Sequence, residues 1–244
     1  QYIDQYAEQE LHNFQNRTPR FRYLFNRLRT NAYAIIDQVA EELRHSDFVP
    51  MAFELGFGGK DGTLPAVTIS RPDGELRVGG KVDRVDGWIK DDKLYLRVVD
   101  YKSGKKKFDL ANVRMGLDIQ MLLYLFALQK EGTEYFGKEI EPAGVLYLLA
   151  DPAPETTTRE KAARSVEYQL DGLVRDEQKV FDAMDADETG RYLPFGYRNG
   201  APSPYQKDKR ADIAKLNRIR LHLDDLVTRM GEQLYGGQIA AEPL

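Results

Sequence analysis

The chain has 244 residues, 42% hydrophobic and 30% charged, with no cysteine and a formal net charge of −4. This balance supports an ordinary buried core and excludes wholesale disorder, a disulfide scaffold and thiolate metal sites within these residues. No run of about eighteen apolar residues occurs, so no membrane-spanning helix is expected, and the overall charge does not advertise a polyanion partner. The length suits one large domain, or one domain with a small appendage. No signal peptide precedes the helical pattern, the first residue Gln1 reads as the start of a fragment or a processed chain, and the lack of cysteine fits an intracellular origin.

Residues 1–45 are predicted to be helical, because Phe21, Leu24, Phe25, Leu28, Ala32, Ala34, Ile35 and Val39 recur at three-to-four spacing. Thr18 is the expected cap, with Pro19 in the first turn of the second helix. Pro50 separates this lead-in from a β texture. Met51 to Phe57 is predicted as a short strand ending at Gly58-Gly59, and Pro65 to Ser70 as another, closed by Arg71-Pro72-Asp73-Gly74. Leu76, Val78 and Val82 alternate with Arg77, Gly79 and Lys81 as a third strand. A turn around Asp91-Asp92 leads into the last strand of the group, Leu94 to Lys102. Strands in direct succession suggest an antiparallel meander. Residues 109–131 are predicted as one buried helix, Val145 to Leu149 as a compact strand and Ser165 to Leu170 as one more. Helices near 171–185 and 209–234 flank a loop at 186–208 that is rich in Gly, Pro and Tyr.

The strongest chemical signal is Val98-Val99-Asp100-Tyr101-Lys102-Ser103-Gly104. Strand side chains alternate, so Asp100 and Lys102 share a face with Leu94, Leu96 and Val98 and emerge where the core ends. Alone, the pair reads better as a structural salt bridge. Asp83 arrives on the preceding strand, within reach of direct pairing. Two neighbouring carboxylates repel, and a divalent cation between them removes that cost. All-oxygen ligation favours Mg²⁺ or Mn²⁺ over zinc. Gln120 and Tyr124 are four apart on the next helix and share a face, where an amide and a phenol suit a phosphate or a base. A carboxylate-held metal beside a lysine fits phosphodiester hydrolysis. Lys105, Lys106 and Lys107 are candidate backbone contacts, and Lys207, Lys209 and Arg210 form a second basic patch. His45 and His222 read as surface residues, and Trp88 and the tyrosines as core and rim.

Taken together, Gly80-x-x-Asp83, Asp100-Tyr101-Lys102-Ser103 and Gln120-x-x-x-Tyr124 resemble the RecB-type nucleases of the PD-(D/E)XK superfamily. Three stretches are similar to the C-terminal nuclease domain of its AddB (RexB) branch. They are Ser46 to Pro50 leading to Glu54, Gly80 to Asp86, and Gly116 to Leu125. The resemblance implies an α/β fold: a restriction-endonuclease-like core with a mixed central β-sheet flanked by helices, and the site at one sheet edge. Residues 1–244 would form a single nuclease domain fragment, with a helical lead-in (1–45), a catalytic core (46–150) and a helical C-terminal part (151–244). The implied activity is that of a metal-dependent exonuclease module in an AddB-like helicase–nuclease subunit. It would cut single-stranded DNA during double-strand break processing in the bacterial cytoplasm. Its partners would be single- and double-stranded DNA and an AddA-like helicase–nuclease subunit, with no membrane.

On this resemblance Asp83 and Asp100 hold Mg²⁺ or Mn²⁺, Lys102 is catalytic, Gln120 and Tyr124 lie near the DNA, and Glu54 matches a recurrent acid. Two departures stand out. The family's Gly-x-x-x-His helix has no match, since Glu8 occupies the glycine position before His12, so that helix is expected upstream of Gln1. The family's 4Fe-4S cluster needs four cysteines, and the chain stops about where the downstream group is expected, so full activity of the fragment is not expected. The alternative is a non-catalytic DNA-binding or docking domain on a nuclease-like scaffold. CRISPR-associated nucleases of the same type are compact, with cysteines close to the core, and fit the long cysteine-free stretch after Tyr124 less well.

Overall fold

A computed structural model of the chain describes residues 2–14, 17–58, 62–71, 74–102, 107–149, 170–238 and 240. The lead-in forms α1 (Tyr2–Gln9) and α2 (Pro19–Arg44), with a 3-10 turn at His12–Phe14 between them. Thr18 caps α2 as expected. Its hydroxyl accepts the Phe21 N–H at 3.2 Å, and Pro19 occupies the first turn, where a missing N–H loses no helical bond. The apolar stripe of α2 is only half covered. Ile35 and Val39 pack against the core, whereas Leu24 and Leu28 stay exposed.

Five strands follow: β1 (Val49–Phe57), β2 (Val67–Arg71), β3 (Gly74–Val78), β4 (Gly80–Lys90) and β5 (Lys93–Lys102). The strand predicted across Leu76 to Val82 is two strands, broken at Gly79; β3 pairs only with β2 in a separate hairpin. The β4–β5 turn has Asp91 and Asp92 at φ 51° and 60°, the left-handed conformations that a two-residue hairpin turn requires. Next come α3 (Leu110–Arg114), α4 (Gln120–Glu131), α5 (Thr133–Phe136) and β6 (Glu139–Leu149). The single helix predicted for 109–131 is therefore two. Gly116 at φ 82° and Asp118 at φ 56° adopt left-handed backbone that no helix interior accommodates. The strand β7 (Leu170–Arg175) takes residues predicted as helix, leaving α6 (Gln178–Met184) shorter than expected. Of the strand predicted for Ser165 to Leu170, only Leu170 is among the described residues. The chain ends with two short strands, β8 (Tyr197–Arg198) and β9 (Ala201–Pro202), then β10 (Arg210–Ala211) and α7 (Ile213–Tyr235).

The main sheet has six strands in the order β1-β4-β5-β6-β7-β10. It is mixed: β5 runs parallel to β6 and β7 parallel to β10, while the other neighbours are antiparallel. On one face Leu122, Leu125 and Leu128 of α4 and Leu216 and Leu223 of α7 join a core with Val85, Leu96 and Val98. On the other, Val180, Phe181 and Met184 of α6 pack with Tyr95, Val99 and Leu146.

That second face also buries four charges. Glu42 of α2 and Arg84, Asp86 and Arg97 of the sheet are each at most 1% exposed. Asp86 Oδ2 accepts from Arg84 and Arg97, both at 2.9 Å, and Arg97 donates to Glu42 at 2.6 Å. Burial opposes the charge of Arg84, but Asp86 and Glu42 outweigh it and raise the guanidinium pKa further. Removing one member strands the others as uncompensated buried ions. Asp86→Ala is therefore expected to cost about 3–5 kcal/mol in urea unfolding, whereas a loss below about 1 kcal/mol would mean that water relaxes the cluster.

Candidate active site

Along β5 everything from Leu94 to Asp100 is buried, and Lys102 emerges half-exposed. Lys102 Nζ lies 2.7 Å from Asp100 Oδ2. Apart from this ion pair, the buried oxygen accepts no hydrogen bond among the described residues. A carboxylate oxygen in that state keeps a lone pair for a cation.

Asp83 joins it through strand register. Arg84 stands opposite Val99, so Asp83 is the next residue out on β4 and Asp100 the next on β5. Asp83 Oδ2 accepts the Tyr101 N–H at 3.2 Å. Val82 and Val85 are three apart yet both reach the same core, so β4 changes phase at Asp83 and Arg84. The change is matched on β1, where Glu54 takes a φ of 51° between Phe53, opposite Arg84, and Leu55, opposite Val82. One residue on each strand lies between these pairs, so Glu54 stands opposite Asp83 and both strands turn together without a bulge; the register shift of this ladder lies between Pro50 and Ala52. The two acids thus stand at neighbouring strand positions, one strand inward from β1, not at a lateral edge of the sheet. That corrects the edge placement expected from the sequence.

Two more residues extend the row. Tyr147 of β6 stands opposite Asp100, and Asp171 of β7 opposite Tyr147. Burial, then the charges of Asp100, Asp118 and Asp171, push the Tyr147 phenol well above its ordinary pKa, so it is a neutral wall beside Asp100. Lys102 Nζ lies 5.9 Å from the centre of its ring. Asp171 accepts from the Phe108 N–H at 2.7 Å and from Lys209 at 2.6 Å, and Lys209 also donates to the Phe108 carbonyl at 2.7 Å. Lys209 is therefore an internal clamp and not part of a basic patch. Tyr147 and Asp171 escaped the sequence reading, since one sits inside an apolar run and the other in a segment predicted as helix.

The helix motif meets the strand motif directly. Gln120 Nε2 donates to the Tyr124 hydroxyl at 2.7 Å. Tyr124 lies over Gly80, the first residue of Gly80-x-x-Asp83. A Cβ at Gly80 would sit 2.6 Å from Tyr124 Cε1. Phe57 closes the other side, edge-on to Tyr124 at 5.1 Å. Glu54, by contrast, pairs with Lys81 at 2.5 Å in the open, each side chain at least 60% exposed. Lys107 is exposed, whereas Lys105 and Lys106 lie outside the described residues. His12 sits in the 3-10 turn of the lead-in.

Among the described residues no group of three or more Asp, Glu, His or Cys side chains is placed to hold a metal ion. Two carboxylates with one undonated oxygen fit a hard ion that keeps much of its water, as Mg²⁺ does. With no cysteine in the sequence, this chain supplies none of the thiolates that ordinarily hold an iron–sulfur cluster.

The profile of the PD-(D/E)XK nuclease superfamily matches residues 1–243. The chain belongs to this superfamily. In this chain β4, β5 and α4 bring Asp83, Asp100, Lys102 and Tyr124 to one end of the sheet. Among similar proteins are ATP-dependent helicase/deoxyribonuclease subunits of the AddB type. That of Clostridium tetani is 31% identical over 236 residues, covering 93% of this chain and 20% of its own length. That of Symbiobacterium thermophilum is 33% identical over 234 residues, with coverages of 93% and 20%. The Alkaliphilus oremlandii protein is 30% identical over 257 residues, covering 99% and 22%. The chain thus spans about one fifth of the length of these relatives. No helix among the described residues is long and apolar enough to cross a membrane.

The Gly80–Tyr124 contact makes a direct test of this PD-(D/E)XK arrangement. Gly80→Ala is expected to destabilise the chain by about 1–3 kcal/mol through overpacking. In thermal unfolding the penalty should shrink when Tyr124→Ala is added, and strictly additive effects would show that the two residues do not press on each other.

Proposed function

We propose that this chain is the DNA-cutting module of an AddB-like helicase–deoxyribonuclease subunit. One observation carries the reading: in a chain of the nuclease superfamily, Asp83 and Asp100 occupy neighbouring strand positions, with Lys102 Nζ 2.7 Å from a buried Asp100 oxygen that accepts no hydrogen bond among the described residues. Asp83 and Asp100 are the residues that would hold Mg²⁺ or Mn²⁺. The ion, when bound, would neutralise charge at the scissile phosphate and acidify a water.

The remaining work falls to the chain's own groups. Lys102 orients the attacking water and holds a proton at Nζ, in a cleft where Tyr147 keeps out solvent behind Asp100. Gln120 contacts the DNA strand from the start of α4, steadied by its hydrogen bond to the buried Tyr124. Lys107, with Lys105 and Lys106, holds the phosphate backbone. The relatives' names join helicase and deoxyribonuclease activity. In that setting the substrate is single-stranded DNA unwound from a duplex by an AddA-like partner in the bacterial cytoplasm, during processing of double-strand breaks.

The second reading is a DNA-binding or docking domain without catalysis. The absence of a third convergent acid among the described residues favours it. Cleavage of a labelled single strand by the full chain, with its helicase partner present but the partner's own nuclease site inactivated, separates the two. Under the nuclease reading, Asp83→Asn and Asp100→Asn each abolish Mg²⁺-dependent cleavage but leave DNA binding in place. Lys102→Ala slows cleavage by about 100-fold or more. Cutting that survives Asp100→Asn, or a wild type that binds DNA and never cuts it, rules the nuclease reading out.

A further inference from the structure

Tyr101 stands between Asp100 and Lys102, and its side chain projects to the opposite face of β5. Its backbone and its ring reach different partners on β4. The N–H donates to Asp83 Oδ2 at 3.2 Å, while the phenol oxygen accepts from Arg84 Nη1 at 3.1 Å. The guanidinium carbon of Arg84 also lies 6.0 Å from the centre of the Tyr101 ring.

These contacts occur where the β4–β5 register ends, at Arg84 opposite Val99. Beyond that pair β5 remains in register only with β6, as far as Lys102 opposite Leu149. Two side-chain bonds through Tyr101 therefore continue the link between the strands past the last ladder pair. Arg84 itself is held from three sides. It donates to Asp86 at 2.9 Å, lies 3.5 Å from Glu42, and shares Asp86 with Arg97. Glu42 ties the cluster to α2.

We infer that the Arg84–Tyr101 hydrogen bond is a positioning device, which holds the end of β5 so that Asp83 and Asp100 keep the spacing a divalent cation needs. The inference rests on the nuclease reading above. Neither residue faces the substrate. Arg84 acts on Tyr101, and Tyr101 acts on Asp83 through its own backbone N–H. The buried charge cluster is the rigid base against which the site is set.

Tyr101→Phe removes only the hydroxyl and keeps the ring. Mn²⁺ binding to the full chain, followed by electron paramagnetic resonance at a temperature where circular dichroism shows both proteins fully folded, is the test. The variant should bind Mn²⁺ about 10-fold more weakly, the usual effect of losing an outer contact to a metal ligand. The Tyr101 amide should exchange faster, and cleavage should slow through kcat with KM for DNA unchanged. Arg84→Lys keeps a charge beside Asp86 but loses the two-armed fork, so it should reproduce the weaker binding. Unchanged Mn²⁺ affinity in Tyr101→Phe overturns the proposal, as does a lower melting temperature with unchanged affinity, which marks the bond as purely structural. A wild-type chain that binds no Mn²⁺ removes the nuclease reading and the positioning role together, a result distinct from equal binding by both proteins.

Discussion

The antiparallel pairing of β4 with β5 is the constraint on which the rest depends. A strand shows alternate residues to opposite faces, so one ladder serves two environments at once. Val98 and Asp100 of β5 face the core under α4, and Lys102 completes that row. Arg97, Val99 and Tyr101 face the side of α2 and α6, where Arg84, Asp86 and Glu42 wait. A slip of one residue would exchange the faces. It would push buried guanidinium groups into an apolar core and lift the site acid out of place. Buried ions contribute little net stability, but a wrong register leaves them unpaired at high cost. The four-charge cluster therefore serves best as a specifier of register, and the placement of Asp83 and Asp100 follows from it.

The second organising contact is between backbone and ring. Tyr124 can lie on β4 only because residue 80 has no side chain. The two halves of the motif, on a strand and on a helix, are thereby one packed unit. The crossover from β5 to parallel β6 runs through α3, α4 and α5 and lays α4 across the sheet. Its exit from β5 is held where Asp171 and Lys209 grip Phe108. Lysines therefore do two different jobs near the site. Lys209 is spent on internal structure, whereas Lys102 stays half-exposed beside its acid.

Much of this was legible in the residues. The apolar run ending in Asp100 and Lys102, the preceding acid at Asp83 and the helical pair Gln120 and Tyr124 are local patterns with a fixed period, and local periods survive folding. The Thr18 cap was legible for the same reason, whereas the mixed sheet with flanking helices was implied by the family resemblance and not by local periods. The split of residues 109–131 into two helices was not: it occurs where Gly116 and Asp118 take left-handed backbone. Nor was β7, whose residues carry no alternating pattern. Tyr147 looked like one more core residue, and Lys209 like one more surface charge.

By itself, then, the sequence determined which side chains are candidates for chemistry, their order and their spacing along each element, since 2.0 and 3.6 residue periods are properties of the backbone alone. Tertiary structure decided what stands across from each of them. It set Asp83 beside Asp100, Tyr124 on Gly80, Arg84 under Tyr101 and Glu54 out toward Lys81. Register between strands distant in sequence, and the change of phase that β1 and β4 share at Glu54 and Asp83, depend on partners that no local window contains.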